Sequence, residues 1–88
     1  MTKATTSLTI YSTTHCSDCR RTYQFLDKYG VPYEVIDIEQ DAAAMKLVEQ
    51  LNRGYQSVPT IIFPDGSTLT EPSYAQLAEK LGIPFGSS

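Results

Sequence analysis

The chain has 88 residues, 41% hydrophobic and 19% charged, an ordinary globular balance with length for a single domain, residues 1–88. A formal net charge of −3 argues against nucleic acid as the partner. The longest strongly apolar run, Ile61-Ile62-Phe63, excludes a membrane-spanning helix, which takes ~20 residues.

In chain order, Met1 to Ser7 has no apolar stretch, so no secretory signal and a loose tail over 1–7 are expected. Leu8-Thr9-Ile10-Tyr11-Ser12 alternates with the period of a strand. After the loop Thr13-Thr14-His15, a helix is predicted from about Cys16 or Ser17 to Tyr29, with Tyr23, Phe25, Leu26 and Tyr29 as its apolar members. Gly30 suits a left-handed helix end, and Pro32 blocks continuation. Tyr33 to Ile38 reads as a second strand. Asp41 is a natural N-cap for a second helix, with Ala44, Leu47, Val48 and Leu51 on one face and Asn52-Arg53-Gly54 ending it. Thr60 to Phe63 reads as a third strand, Pro64-Asp65-Gly66-Ser67 as a hairpin turn, and Thr68-Leu69-Thr70 as the returning strand. Ser73-Tyr74-Ala75-Gln76 has the pattern of a capping box. The helix behind it places Tyr74, Leu77, Ala78 and Leu81 on one face and stops at Gly82 and Pro84, leaving a loose tail over 85–88.

The order is βαβαββα. A helical crossover makes the first two strands parallel, and the last two form an antiparallel hairpin. The expected fold class is therefore α/β, a four-stranded mixed sheet with helices on both faces, the minimal thioredoxin-like layout.

The two cysteines, Cys16 and Cys19, are three positions apart. A bond between them closes so short a loop that the chain-entropy gain is only ~2 kcal/mol, a poor structural staple. A secreted scaffold would carry more cysteines, joined across distant segments. The pair therefore points to a reducing, cytoplasmic setting and a bond that opens and closes. At a helix start, residues three apart face the same side, and their α-carbons come within roughly 5–6 Å. Cys16 meets free backbone N–H groups and the positive helix end, which favour its thiolate, while Cys19 lies a turn deeper. That division into an attacking thiolate and a resolving thiol suits exchange through a mixed disulfide. Zinc normally takes four ligands, and one histidine is the only other strong donor in the chain, so no metal site is expected.

Val58-Pro59 stands immediately before the third strand. Proline lacks the backbone donor and pushes Val58 towards extended geometry. This leaves the Val58 backbone open to an extended guest, although an ordinary start of a strand has the same signature. His15 is read either as a cation beside the Cys16 thiolate or as an exposed loop side chain. Asp18 opposes a thiolate electrostatically, and Arg20 and Arg21 are placed to neutralise it or simply to face solvent. Tyr11 and Tyr55 are candidates for a groove wall or for packing. Arg53 and Gln56 are candidates for contacts with a substrate's polar end.

With these residues placed, the chain resembles the glutaredoxin family from Leu8 to Leu81, and within it the mycoredoxin branch, whose members act on mycothiol. The resemblance is carried by Leu8 to Thr14, Cys16-Ser17-Asp18-Cys19, Val35 to Glu39, Val58-Pro59-Thr60 and Asp65 to Ser73. It implies that Cys16 is the nucleophile, Cys19 the resolving cysteine, Pro59 a cis-proline beside them, and Ser57-Val58-Pro59 the backbone that binds substrate. His15 and Asp18 become modulators of the pair. Glutathione-using relatives carry a cation where this chain has Thr13. They also carry a Gly-Gly pair and a Ser-Asp where this chain has Leu69-Thr70-Glu71-Pro72-Ser73. Both departures turn the expectation away from glutathione.

The implied activity is reduction of mixed disulfides between proteins and a low-molecular-weight thiol such as mycothiol, by a monomer with no tightly bound cofactor. Reducing equivalents come from the thiol pool or a flavin disulfide reductase. Three alternatives stand beside it: a thioredoxin-like reductase serving one partner enzyme, an iron–sulfur carrier, and a binding module that senses redox state. Cys19 and Asp18 argue against the carrier, whose relatives tend to lack the second cysteine or to place small residues after the first.

Overall fold

The computed structural model describes residues 7–83. Of the expected tails over 1–7 and 85–88, all but Ser7 lie outside the described residues, as does Pro84. The elements follow as β1 (Leu8–Ser12), α1 (Ser17–Lys28), β2 (Tyr33–Asp37), α2 (Ala42–Leu51), β3 (Thr60–Ile62), β4 (Thr68–Thr70) and α3 (Tyr74–Leu81). They build one four-stranded sheet in the order β2-β1-β3-β4. β1 and β2 are parallel, with Ile10 opposite Val35, while β3 runs antiparallel to both β1 and β4, with Ile61 opposite Ile10 and Leu69.

Strand alternation divides the core into two layers. Leu8, Ile10, Ile61 and Phe63 pack on one face with Phe25 and Leu26 of α1 and Leu77 and Ala78 of α3. On the other face Tyr11 packs with Ile38, Ala44 and Val48 of the α2 side, flanked by Ile36, Met45, Val58 and Ile62. The mixed sheet with helices on both faces is thus formed as the patterning implies. No helix among the described residues is long and apolar enough to cross a membrane.

The element ends differ from the sequence reading in instructive ways. α1 stops at Lys28, one residue short, because Gly30 enters the left-handed region at φ 68°. The Gly30 N–H then donates to the Asp27 carbonyl (3.2 Å) and the Val31 N–H to the Leu26 carbonyl (2.9 Å), the paired bonds of a Schellman end. β2 ends at Asp37 rather than Ile38, although the Ile38 N–H still bonds the Ser12 carbonyl. β3 ends at Ile62 because Phe63 already belongs to the turn, accepting from the Gly66 N–H. Leu51 is 41% exposed rather than facing the core. The inward position of that last helical turn is held by Asn52, hydrogen-bonded to buried Thr60. Tyr74, also assigned to a buried face, is 38% exposed and meets Phe25 by ring stacking at 5.3 Å. The capping box of α3 is complete, with Ser73 and Gln76 bonded in both directions.

Candidate active site

β1 and β3 are antiparallel, and Tyr11 pairs with Thr60, so the loop that follows β1 and the segment that precedes β3 emerge at one end of the sheet. The first carries His15 and Cys16, the second Ser57, Val58 and Pro59. Two side-chain bonds pin the first loop. The Tyr23 hydroxyl of α1 donates to Ser12 Oγ (2.8 Å), and Thr14 Oγ1 donates to Asp37 Oδ2 (3.1 Å). The Ser12 side is buried, the Thr14 side exposed.

Cys16 is the N-cap of α1, with extended backbone, and its Sγ accepts the Cys19 N–H at 3.1 Å. A hydroxyl or carboxylate usually holds this position; here a sulfur occupies it and receives the donor a thiolate would use. Cys16 and Cys19 form a disulfide, with their α-carbons 5.2 Å apart. The two sulfurs differ in access: Cys16 is half-buried, whereas Cys19 is 1% exposed. No group of three or more His, Cys, Asp or Glu side chains among the described residues is arranged to hold a metal ion.

Of the other residues singled out, His15 is exposed. Asp18 is exposed in the first turn of α1 and bonded to the Arg21 guanidinium one turn on, a contact that raises Arg21 further above its ordinary range. Arg21, rather than Arg20, is thus its partner. Tyr11 belongs to the core, and burial pushes its phenol up, with Asp41 and Glu34 adding to the shift. Tyr55 is 70% exposed, and Gln56 donates to Glu49.

The Val58–Pro59 bond is cis, as the resemblance implied. Pro59 is buried and Val58 half-buried. Both carbonyls flanking Val58 are engaged: Ser57 O accepts from Thr60 Oγ1 (2.7 Å), and Pro59 O accepts from the Glu71 N–H (2.8 Å). Glu71 adopts φ 48°, a left-handed turn that follows β4. A shallow pocket of about 280 Å³ lies between the start of α1 and this turn, lined by Asp18, Arg21, Thr22, Glu71, Pro72, Ser73 and Tyr74.

Sequence reasoning did not find Asn52, Thr60 and Thr70 as part of this end of the molecule. Asn52 Nδ2 donates to the Val48 carbonyl (2.8 Å) and to Thr60 Oγ1 (3.1 Å), and Asn52 Oδ1 accepts from Thr70 Oγ1 (2.7 Å). The available signal was a threonine directly after Val58-Pro59, at a position that alternation turns inward.

A four-stranded mixed sheet with a dithiol pair at the start of its first helix and a cis-proline before the third strand defines a thioredoxin-fold protein of the Cys-x-x-Cys kind. The glutaredoxin family model matches residues 8–67. A glutaredoxin-type protein of Mycobacterium tuberculosis is 43% identical over 77 residues, covering 88% of this chain and 92% of that protein. Mycoredoxin 1 of Corynebacterium glutamicum is 37% identical over 75 residues, covering 85% of this chain and 92% of its own length. The crystal structure of a glutaredoxin from Archaeoglobus fulgidus superposes with a TM-score of 0.72 at 26% identity, covering 86% of each chain. The chain belongs to the glutaredoxin family.

Proposed function

We propose that this protein is a dithiol thiol–disulfide oxidoreductase that reduces mixed disulfides formed between cytoplasmic proteins and a low-molecular-weight thiol, with mycothiol as that thiol. The observation that carries the reading is the Cys19 N–H donated to the Cys16 sulfur at the start of α1. A group that receives a backbone donor at a helix N-terminus is stabilised as an anion, and the anion is the nucleophile.

The reduced Cys16 thiolate attacks one sulfur of the mixed disulfide, forming a new S–S bond to Cys16. The departing thiolate takes a proton from water. Cys19, once deprotonated, attacks the Cys16 sulfur, releases the second thiol and leaves the Cys16–Cys19 disulfide. Two electrons have then passed to the substrate. Two equivalents of the small thiol, or a flavin disulfide reductase, return them. Buried Cys19 suits the resolving role, because only the sulfur already bound at Cys16 is near it. The Ser57-Val58-Pro59 segment pairs with the substrate through Val58, since the Ser57 and Pro59 carbonyls are already engaged, while His15 and Asp18 adjust the charge around Cys16. Mycothiol is favoured by the similarity to mycoredoxin 1 and by Thr13 and Leu69-Thr70-Glu71-Pro72-Ser73, which stand where glutathione-using relatives carry a cation and a Gly-Gly pair with a Ser-Asp.

Turnover by the reduced protein is to be compared on mixed disulfides of mycothiol, glutathione and bacillithiol. The expected result is a clear preference for mycothiol. Equal rates on all three would remove mycothiol from the proposal, and no reduction of any of them would remove the activity.

A further inference from the structure

We propose that Asn52 and Thr60 are positioning residues that aim the Val58 N–H at the substrate. The argument starts from one carbonyl. Ser57 O is turned inward, accepting from the hydroxyl of Thr60, a side chain with 0% exposure. In a planar trans peptide the carbonyl and the N–H of the next residue point in opposite directions. Holding Ser57 O inward therefore turns the Val58 N–H outward, and no hydrogen bond from that N–H exists among the described residues.

The direction of the Thr60 hydroxyl is itself set. Its one proton is spent on Ser57 O, so its oxygen can only accept from the side chain beyond it. That side chain is Asn52, whose Nδ2 also faces the Val48 carbonyl, an acceptor. The amide orientation is fixed by those two acceptors, and Asn52 Oδ1 is left to receive the Thr70 hydroxyl. One oriented chain, Thr70 to Asn52 to Thr60 to Ser57, thus joins β4, the end of α2 and β3 to the peptide that presents Val58. A chain with every donor matched to an acceptor, anchored on fully buried Thr60, rigidifies the group at its end.

This inference rests on the reading of Val58 as the substrate-pairing residue, and its test separates the two. Two disulfide probes are needed: cystine acetylated and amidated at both ends, which offers backbone amides, and hydroxyethyl disulfide, which offers none. Thr60→Val removes the hydroxyl while keeping the shape. The expected result is a KM for the amide-bearing probe raised about five- to tenfold, the loss of one neutral hydrogen bond, with kcat and the rate on hydroxyethyl disulfide nearly unchanged. Thr60→Ser, which keeps the hydroxyl, should restore the KM. Asn52→Ala carries the same comparison should Thr60→Val fail to fold. Wild-type protein active on both probes, with the variants lowering both alike or neither, would overturn this inference alone. Wild-type protein inactive on both would overturn the redox reading and this inference with it.

Discussion

The Cys16 sulfur accepts the backbone N–H of Cys19 at 3.1 Å, so the first cysteine caps the helix that carries the second. A thiolate accepts that bond better than a thiol does, and it also meets the positive end of α1. Alkylation of Cys16 by iodoacetamide should therefore show a midpoint below the ~8.5 of a free thiol, with Cys16 modified before Cys19. The measurement is alkylation rate against pH on reduced protein, with the modified residue identified by mass. A midpoint at or above the free-thiol value, or Cys19 reacting first, would reverse the two roles.

The difference in burial between the sulfurs predicts how the single variants divide. Cys16→Ser should abolish turnover on every disulfide, because Cys19 is 1% exposed and has no access to an incoming substrate. Cys19→Ser should accumulate a mixed disulfide at Cys16, visible as a mass increase by one small-thiol residue. Activity should persist only where a second small thiol resolves it. Substantial turnover by Cys16→Ser would sink the assignment.

How far these features were legible in the sequence depends on how local their causes are. The α1 end was readable because Gly30 and Pro32 act through their own dihedrals, and the capping box of α3 because its two partners lie three residues apart. Cys16 and Cys19 were readable for the same reason. Asn52 was not. Its three partners come from α2, β3 and β4, and nothing in a helix-ending Asn-Arg-Gly says that the amide turns inward. Leu51 was misassigned as a direct consequence, since periodicity cannot tell which residue the last turn presents to the core. The Asn52-Arg53-Gly54 end was legible as a stop but not in its geometry, since Arg53 takes a left-handed φ of 59° ahead of Gly54 at 93°.

Gly30 offers a direct check on the end of α1. A methyl group there would meet nothing within 4 Å, so crowding plays no part, and only the left-handed φ of 68° resists a side chain. Gly30→Ala should lower stability by about 1 kcal/mol in denaturant unfolding. An unchanged midpoint would mean that the helix end relaxes at no cost.

Asp65 predicts a pH dependence. Its carboxylate accepts from Ser67 Oγ (2.6 Å), the Ser67 N–H (3.0 Å) and Lys80 Nζ (2.9 Å), and these bonds hold it far below the usual carboxylate range. A group depressed in the folded state gives stability that is present above its unfolded value and lost as pH falls towards the folded one. Wild-type Tm should therefore fall on acidification below pH ~4, and Asp65→Asn should flatten that limb of the profile. Parallel acid limbs in the two proteins would show that the Ser67 and Lys80 bonds do not report on folding.

The Asp18–Arg21 pair gives the last prediction. Asp18 stands in the first turn of α1, between the two cysteines, where a carboxylate suits the helix dipole but opposes a Cys16 thiolate. Arg21, one turn on, is bonded to it and offsets its charge. Both side chains are more than half exposed, at 62% and 51%, so the pair should contribute little to stability. Its effect on the thiolate should be readable all the same, because the alkylation midpoint responds to local charge directly. Arg21→Ala leaves Asp18 unopposed and should raise the Cys16 midpoint, while Asp18→Asn should lower it, each by less than about one pH unit. Both differences should shrink as salt is raised past ~0.1 M, where the screening length falls to ~10 Å. The double variant removes one charge of each sign and should return towards the wild-type value. Midpoints that moved in the same direction in both single variants would mean that a change at the start of α1, and not charge, governs Cys16.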